Sequence, residues 1–170
     1  MAFPEGLTPA QLLYPDLDSE LASTRKILAL VPDGKDDFTP HAKSMKLGAL
    51  ATHLVDLVGF GKRLLTTDMF DFATMPWESG SYATAAARLA GFDRSAAELK
   101  ATIDGASWAD MDKHWQMRAG DVVYADDRRS TLLRTSAISH IAHHRAQLGV
   151  YLRMLGIPIP GTYGPSADEM

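Results

Sequence analysis

The sequence predicts an all-α protein, a four-helix bundle with long crossover loops and an extended Pro/Gly-rich C-terminal tail. Three observations predict it. Apolar residues recur at steps of three and four in four long segments. Pro- and Gly-containing breakers separate those segments. Strand-like alternation is confined to one short stretch. Four long segments with one apolar face each bury those faces most simply against one another. The 170 residues suit one domain over 1–170, large enough to bury its own core without a staple.

The first segment runs from about Ala10 to Val31, with Leu17, Leu21, Thr24, Leu28 and Val31 on one face. Pro15 falls early, where a first turn tolerates it, and Pro32-Asp33-Gly34 stops the helix. The second runs from Ser44, read as an N-cap, to about Thr66, on a stripe of Leu47, Leu50, Leu54, Leu57, Gly61 and Leu64. A looser stretch, Asp68 to Gly80, follows with Pro76 as a breaker. The third spans about Tyr82 to Ile103 through Ala86, Leu89, Phe92, Ala96 and Leu99, weakened by Gly91 and ended by Asp104-Gly105. Trp108 to Asp127 reads either as a short hairpin around Ala119-Gly120-Asp121 or as an irregular crossover. The fourth runs from about Ser130 to Leu155, with Gly156 at the C′ position and Pro158 barring continuation. The tail, 156–170, is expected to lie extended along the surface.

Composition excludes several kinds of chemistry. There is no Cys, hence no disulfide framework, thiolate metal site or Cys nucleophile. Metal chemistry would have to run on the six His and the carboxylates. A net charge of −4 speaks against phosphate-backbone binding, so no nucleic-acid partner is expected. The opening MAFPEGLTPAQLLYPD lacks a basic start and an apolar run, and no stretch approaches 18 uncharged apolar residues. The expectation is a cytoplasmic protein with no membrane partner.

Three of the histidines lie in the fourth segment. At about 100° per residue, its apolar stripe centres about 60° from His140. His144 then falls inside the stripe and His140 on its edge. His143 falls outside, facing solvent or a neighbouring subunit. Spacing i, i+4 lets two imidazoles meet one ion. In the second segment His53 lies at the inner edge of its stripe. Three imidazoles from two helices would make an open, catalytic type of metal site, provided the two helices are neighbours. A single inward His is more often a core residue bonded to backbone.

Rival chemistries fail on the same residues. None of the five Glu is followed by His three residues later, so the di-iron carboxylate pattern is absent. H-E-x-x-H, G-x-S-x-G and the P-loop are absent too. The inner stripes are read as free of Asp and Glu, which leaves carboxylate-dyad catalysis without support. An inter-helix salt bridge for Arg145 and a surface hydrogen bond for Gln147 are favoured over roles at a pocket mouth. Asp56 reads as part of a solvated face, and His41 and His114 as loop or surface residues. Trp77, Tyr82, Trp108, Trp115 and Tyr124 read as aromatic plugs ahead of a substrate mouth.

The segment His140-Ile-Ala-His143-His144-Arg145-Ala-Gln147-Leu148 continues through Tyr151 and Arg153 to Gly156-Ile-Pro158-Ile-Pro160 and Tyr163-Gly-Pro165. With Thr24-Arg25 and Leu47 to His53 upstream, it resembles the DinB/YfiT family of small four-helix-bundle metalloproteins. The likeness spans most of the chain and is weakest between Asp68 and Ala119. It implies up-down-down-up topology and a three-His centre, with the ligands carried onto His53, His140 and His144. It implies a divalent metal, zinc or nickel foremost, and a homodimer. It also implies, for some relatives, thiol-dependent transfer or isomerisation. In a chain without Cys that thiol would be a low-molecular-weight cosubstrate. Two functional classes follow: a metal-dependent transferase or hydrolase of small molecules, and a non-catalytic metal-binding stress-response or interaction protein. A cavity of several hundred Å³ opening onto the metal would favour the first.

Overall fold

The computed structural model describes residues 6–170. Residues 1–5, part of the opening read above for a targeting signal, lie outside the described residues. Successive elements are α1 (Pro9–Leu13), α2 (Leu17–Leu28), α3 (Leu47–Thr66), β1 (Met69–Asp71) and α4 (Ala85–Asp104). They are followed by α5 (Trp108–Asp112), β2 (His114–Ala119), β3 (Val122–Arg128), α6 (Arg129–Leu132), a π-helical turn (Leu133–Ile138) and α7 (Ser139–Met154).

Four long helices form the body. Both α2 and α3 pack against α4 and α7. Their apolar stripes meet in a core that includes Leu28, Leu47, Leu50, Leu54, Leu64, Leu99, Leu133 and Leu148. The first segment is two helices rather than one. Pro15 has no N–H to give and disfavours helical geometry at Tyr14, so α1 ends before it and α2 starts afresh. The second helix begins at Leu47 rather than Ser44, and the third at Ala85, where the Thr84 hydroxyl accepts from the Ala87 N–H. The C-terminus of α7 closes as a Schellman motif. Gly156 takes φ +77°, its N–H bonds to the Arg153 carbonyl, and the Ile157 N–H bonds to that of Leu152.

The all-α expectation is wrong. Three strands form a mixed sheet in the order β1-β2-β3. Of the two readings of Trp108–Asp127 the hairpin holds. β2 and β3 pair antiparallel across Gly120-Asp121, and Gly120 takes the positive φ, +58°, that a two-residue turn asks of its first residue. β1 pairs parallel to β2, Met69 opposite Gln116. Asp71 locks that corner: its carboxylate accepts from the Gly120 N–H and the Ala73 N–H, each at 2.9–3.0 Å, and from Arg118 Nε at 3.0 Å. The sheet caps one end of the bundle through Trp115, which is 1% exposed, packs on Phe60 and donates its indole N–H to Thr67. Among the described residues, no helix is long and apolar enough to cross a membrane.

Candidate metal centre

α3 and α7 are direct neighbours, the condition that periodicity left open. Their contact brings His53, His140 and His144 together, with one ring nitrogen of each within 4.8 Å of the others. The ring centroids of His53 lie 5.4 Å from His140 and 4.7 Å from His144. All three rings are half-buried. His143 stays outside on the exposed side, beside His144. His114 pairs with Asp126 on the sheet, and His41 accepts from the Lys43 N–H in a loop.

The protonation pattern follows from the partners. Nδ1 of His144 lies 2.7 Å from Oε1 of Gln147, a pure acceptor, so that nitrogen carries the hydrogen. The Ser136 carbonyl, one turn back in the π segment, accepts from the His140 ring. The imidazoles of His140 and His144 thus each give an N–H to an oxygen. The two remaining nitrogens, Nε2 of His140 and Nε2 of His144, face each other at 2.9 Å. Two lone pairs at that distance repel unless a cation lies between or beside them. The residues fit a metal ion by this test, and their N–H partners are those that ligating imidazoles require. Replacing Gln147 by Leu is expected to weaken divalent-metal affinity by about 10–100-fold at unchanged fold, read by competition with a chromogenic chelator.

Burial also keeps the rings neutral. His53 is pushed down to about 4, first by desolvation and then by the charges of His144 and His140, with Asp56 opposing. His140 and His144 are lowered as well, chiefly by burial, against the pull of the Ser136 carbonyl and of Gln147 respectively. A lowered histidine costs nothing above the unfolded value of 6.5, where both states are neutral. Below it the unfolded chain takes the proton first, so folding stability falls as pH drops. The urea midpoint of metal-free protein should therefore decline from pH 6.5 towards 4, and more steeply in wild type than in His53→Gln.

A cavity of about 440 Å³ opens onto His53 and His140. Leu57 and Phe60 of α3 form one wall, and Thr135 and Ser136 of the π turn another. Phe72, Trp77 and Met117 close it from the sheet side. Asp56 holds the covering loop in place, accepting from the Ser79 hydroxyl and, at 3.0 Å, from the Gly80 N–H. It is therefore a loop anchor rather than a solvated carboxylate. Of the aromatic residues, Trp77 lines the cavity and Trp115 is a plug. Arg145 makes the inter-helix salt bridge, 2.8 Å to Glu20. Glu20 is itself buried, which corrects the reading of carboxylate-free stripes.

Sequence reasoning missed Phe72, Met117, Thr135 and Ser136 as cavity residues, and Gln147 as an imidazole partner. The last was findable, since Gln147 follows His144 by three residues on one helix face. The rest depend on the sheet and on the π turn, which leave no periodic trace.

The fold and the site together define a helical-bundle protein with a three-imidazole cluster, two members of which line a cavity. The DinB family model matches residues 8–170, and the chain belongs to the DinB family. Among solved structures, the chain is similar to a DinB-like protein from Bacillus subtilis at 14% identity and a TM-score of 0.69, covering 88% of this chain and 96% of that one. It is also similar to a DinB-like protein from Bacillus cereus at 20% identity and a TM-score of 0.65, covering 89% and 95%. At these identities the likeness is one of fold. A comparison with curated proteins finds no match.

Proposed function

We propose that the protein is a divalent-metal-dependent enzyme acting on small molecules, a thiol-linked transferase or a hydrolase, with His53, His140 and His144 as the metal ligands. The observation that carries this reading is the convergence of three neutral imidazoles, two of which, His53 and His140, line a cavity of about 440 Å³. A sealed structural site would need no such chamber, and a catalytic one needs coordination positions left for substrate. Zinc or nickel suits an all-imidazole donor set. A bound ion there would supply Lewis acidity, lowering the pKa of a coordinated water or thiol into the neutral range.

The chain's own residues do the rest. Gln147 and the Ser136 carbonyl fix the tautomers and ring planes of His144 and His140. Asp56 keeps the covering loop, and with it Trp77, over the site. The apolar walls keep bulk water from the reacting atoms. Without Cys the chain offers no thiol of its own, so a thiol nucleophile would enter as a cosubstrate. The test is a screen of low-molecular-weight thiols with electrophilic substrates, and of hydrolysable esters and amides, with zinc, with nickel and after chelation. Turnover that needs both metal and His140 is expected. Metal bound stoichiometrically with no turnover in any arm would leave the non-catalytic alternative standing.

A further inference from the structure

We propose that the cavity beside the histidines selects an uncharged, largely apolar small molecule, aromatic in its main body, and rejects ions of the same size. Leu57, Phe60, Phe72, Trp77 and Met117 make up most of its surface, and no Lys, Arg, Asp or Glu lines it. Its polar groups are the hydroxyls of Thr135 and Ser136 and the imidazoles of His53 and His140. The Thr135 hydroxyl already donates to the Thr131 carbonyl. In the metal-free protein an ion entering this chamber would leave water without meeting a countercharge among the lining residues, at a cost of several kcal/mol. An uncharged ring would meet the edges and faces of Phe60, Phe72 and Trp77, the arrangement aromatic partners prefer.

The second cleft sharpens the contrast. A space of about 650 Å³, also lined by His53 and Trp77, is bordered by Asp36, Asp37, Lys46 and Arg88. The two spaces share His53 and Trp77, so a ligand in either would lie against His53. The rim of the apolar chamber carries Phe72 and Tyr124, whose rings meet edge to face at 6.1 Å and stand exposed to solvent. Exposed aromatic side chains at a cavity mouth mark a path of entry for apolar ligands.

The apolar selectivity stands without the metal. That the ligand's donor atom points toward His53 and His140 rests on the metal-centre reading. The experiment separates the two. Isothermal titration would compare 2-naphthol, 2-naphthalenesulfonate and 2-naphthyltrimethylammonium, of like size and charge 0, −1 and +1. It would be run on the protein as purified and after chelation. The expected result is that 2-naphthol binds at least about 30-fold more tightly than either ion after chelation. Met117→Lys should remove that preference and raise the affinity for the sulfonate. Trp77→Ala, at a covering loop outside the core, should weaken 2-naphthol about tenfold and keep the order of the three. Equal affinities for the three probes, or a preference unchanged in Met117→Lys, would overturn the inference. The visible spectrum of cobalt-loaded protein should change on adding 4-phenylimidazole, whose imidazole can reach the ion while its ring fills the chamber. No spectral change beside an intact 2-naphthol preference would count against the metal-centre reading alone.

Discussion

Alanine at His140 or at His144 is expected to abolish stoichiometric divalent-metal binding, with affinity falling by more than about 100-fold. Loss of a residue that merely orients a ligand costs about 10–100-fold, and loss of a ligand must exceed it. His143→Ala is the control, because His143 adjoins His144 and follows His140 by three residues yet lies on the exposed side of α7. It should bind metal as wild type does. The same variants should not weaken the metal-free fold, since each removes one of two nitrogens that face each other at 2.9 Å. Elemental analysis of untagged protein, with urea unfolding after chelation, reads both effects. Equal metal loading in His143→Ala and His144→Ala, whether both high or both low, would refute the assignment.

Glu20→Ala should destabilise the protein by about 3–5 kcal/mol, the largest effect expected far from the histidines. Arg145 is 2% exposed in its side chain and Glu20 10%. Their 2.8 Å ion pair joins α2 to α7. Tyr163 of the tail completes the network, donating to Oε2 of Glu20 at 3.0 Å and accepting from Nη2 of Arg145 at 2.6 Å. Removing the carboxylate leaves a guanidinium buried with only neutral partners, among them Thr24 Oγ1 at 3.2 Å. A fall in Tm of roughly 10 °C is the thermal equivalent. Tyr163→Phe should cost only about 1 kcal/mol, because both ions keep each other. The double variant Glu20→Leu with Arg145→Met should recover much of the loss, since no unpaired charge then remains inside. A Glu20→Ala protein as stable as wild type would show that the pair is solvated in solution.

The helices and the histidine cluster were legible because both obey one period. Leu50, Leu54, Leu57 and Leu64 mark a stripe, and His53 takes its phase from them. The same arithmetic separates His143 from His140 and His144. The sheet followed no such rule. Met69–Asp71 is too short to alternate, and its partners Gln116–Arg118 lie 47 residues away, a parallel pairing that leaves no local sign. The π turn at Leu133–Ile138 was hidden for a related reason, since its buried Leu133, Ala137 and Ile138 continue the apolar stripe of the helix that follows. It matters because Ser136, within that turn, turns its carbonyl to His140. Turns of this kind recur beside functional sites. Glu20 was misread from its charge alone; only the packing of α2 on α7 shows the arginine that neutralises it.

X-ray absorption at the metal edge of protein loaded with one equivalent of zinc, read beside anomalous diffraction from the same complex, decides whether His53, His140 and His144 hold one ion. The expected result is one ion per chain, bound by Nε2 of His140, Nε2 of His144 and a ring nitrogen of His53 at about 2.0–2.1 Å, with remaining positions held by water or added ligand. An ion found elsewhere, or one held by fewer than three of these imidazoles, would contradict it.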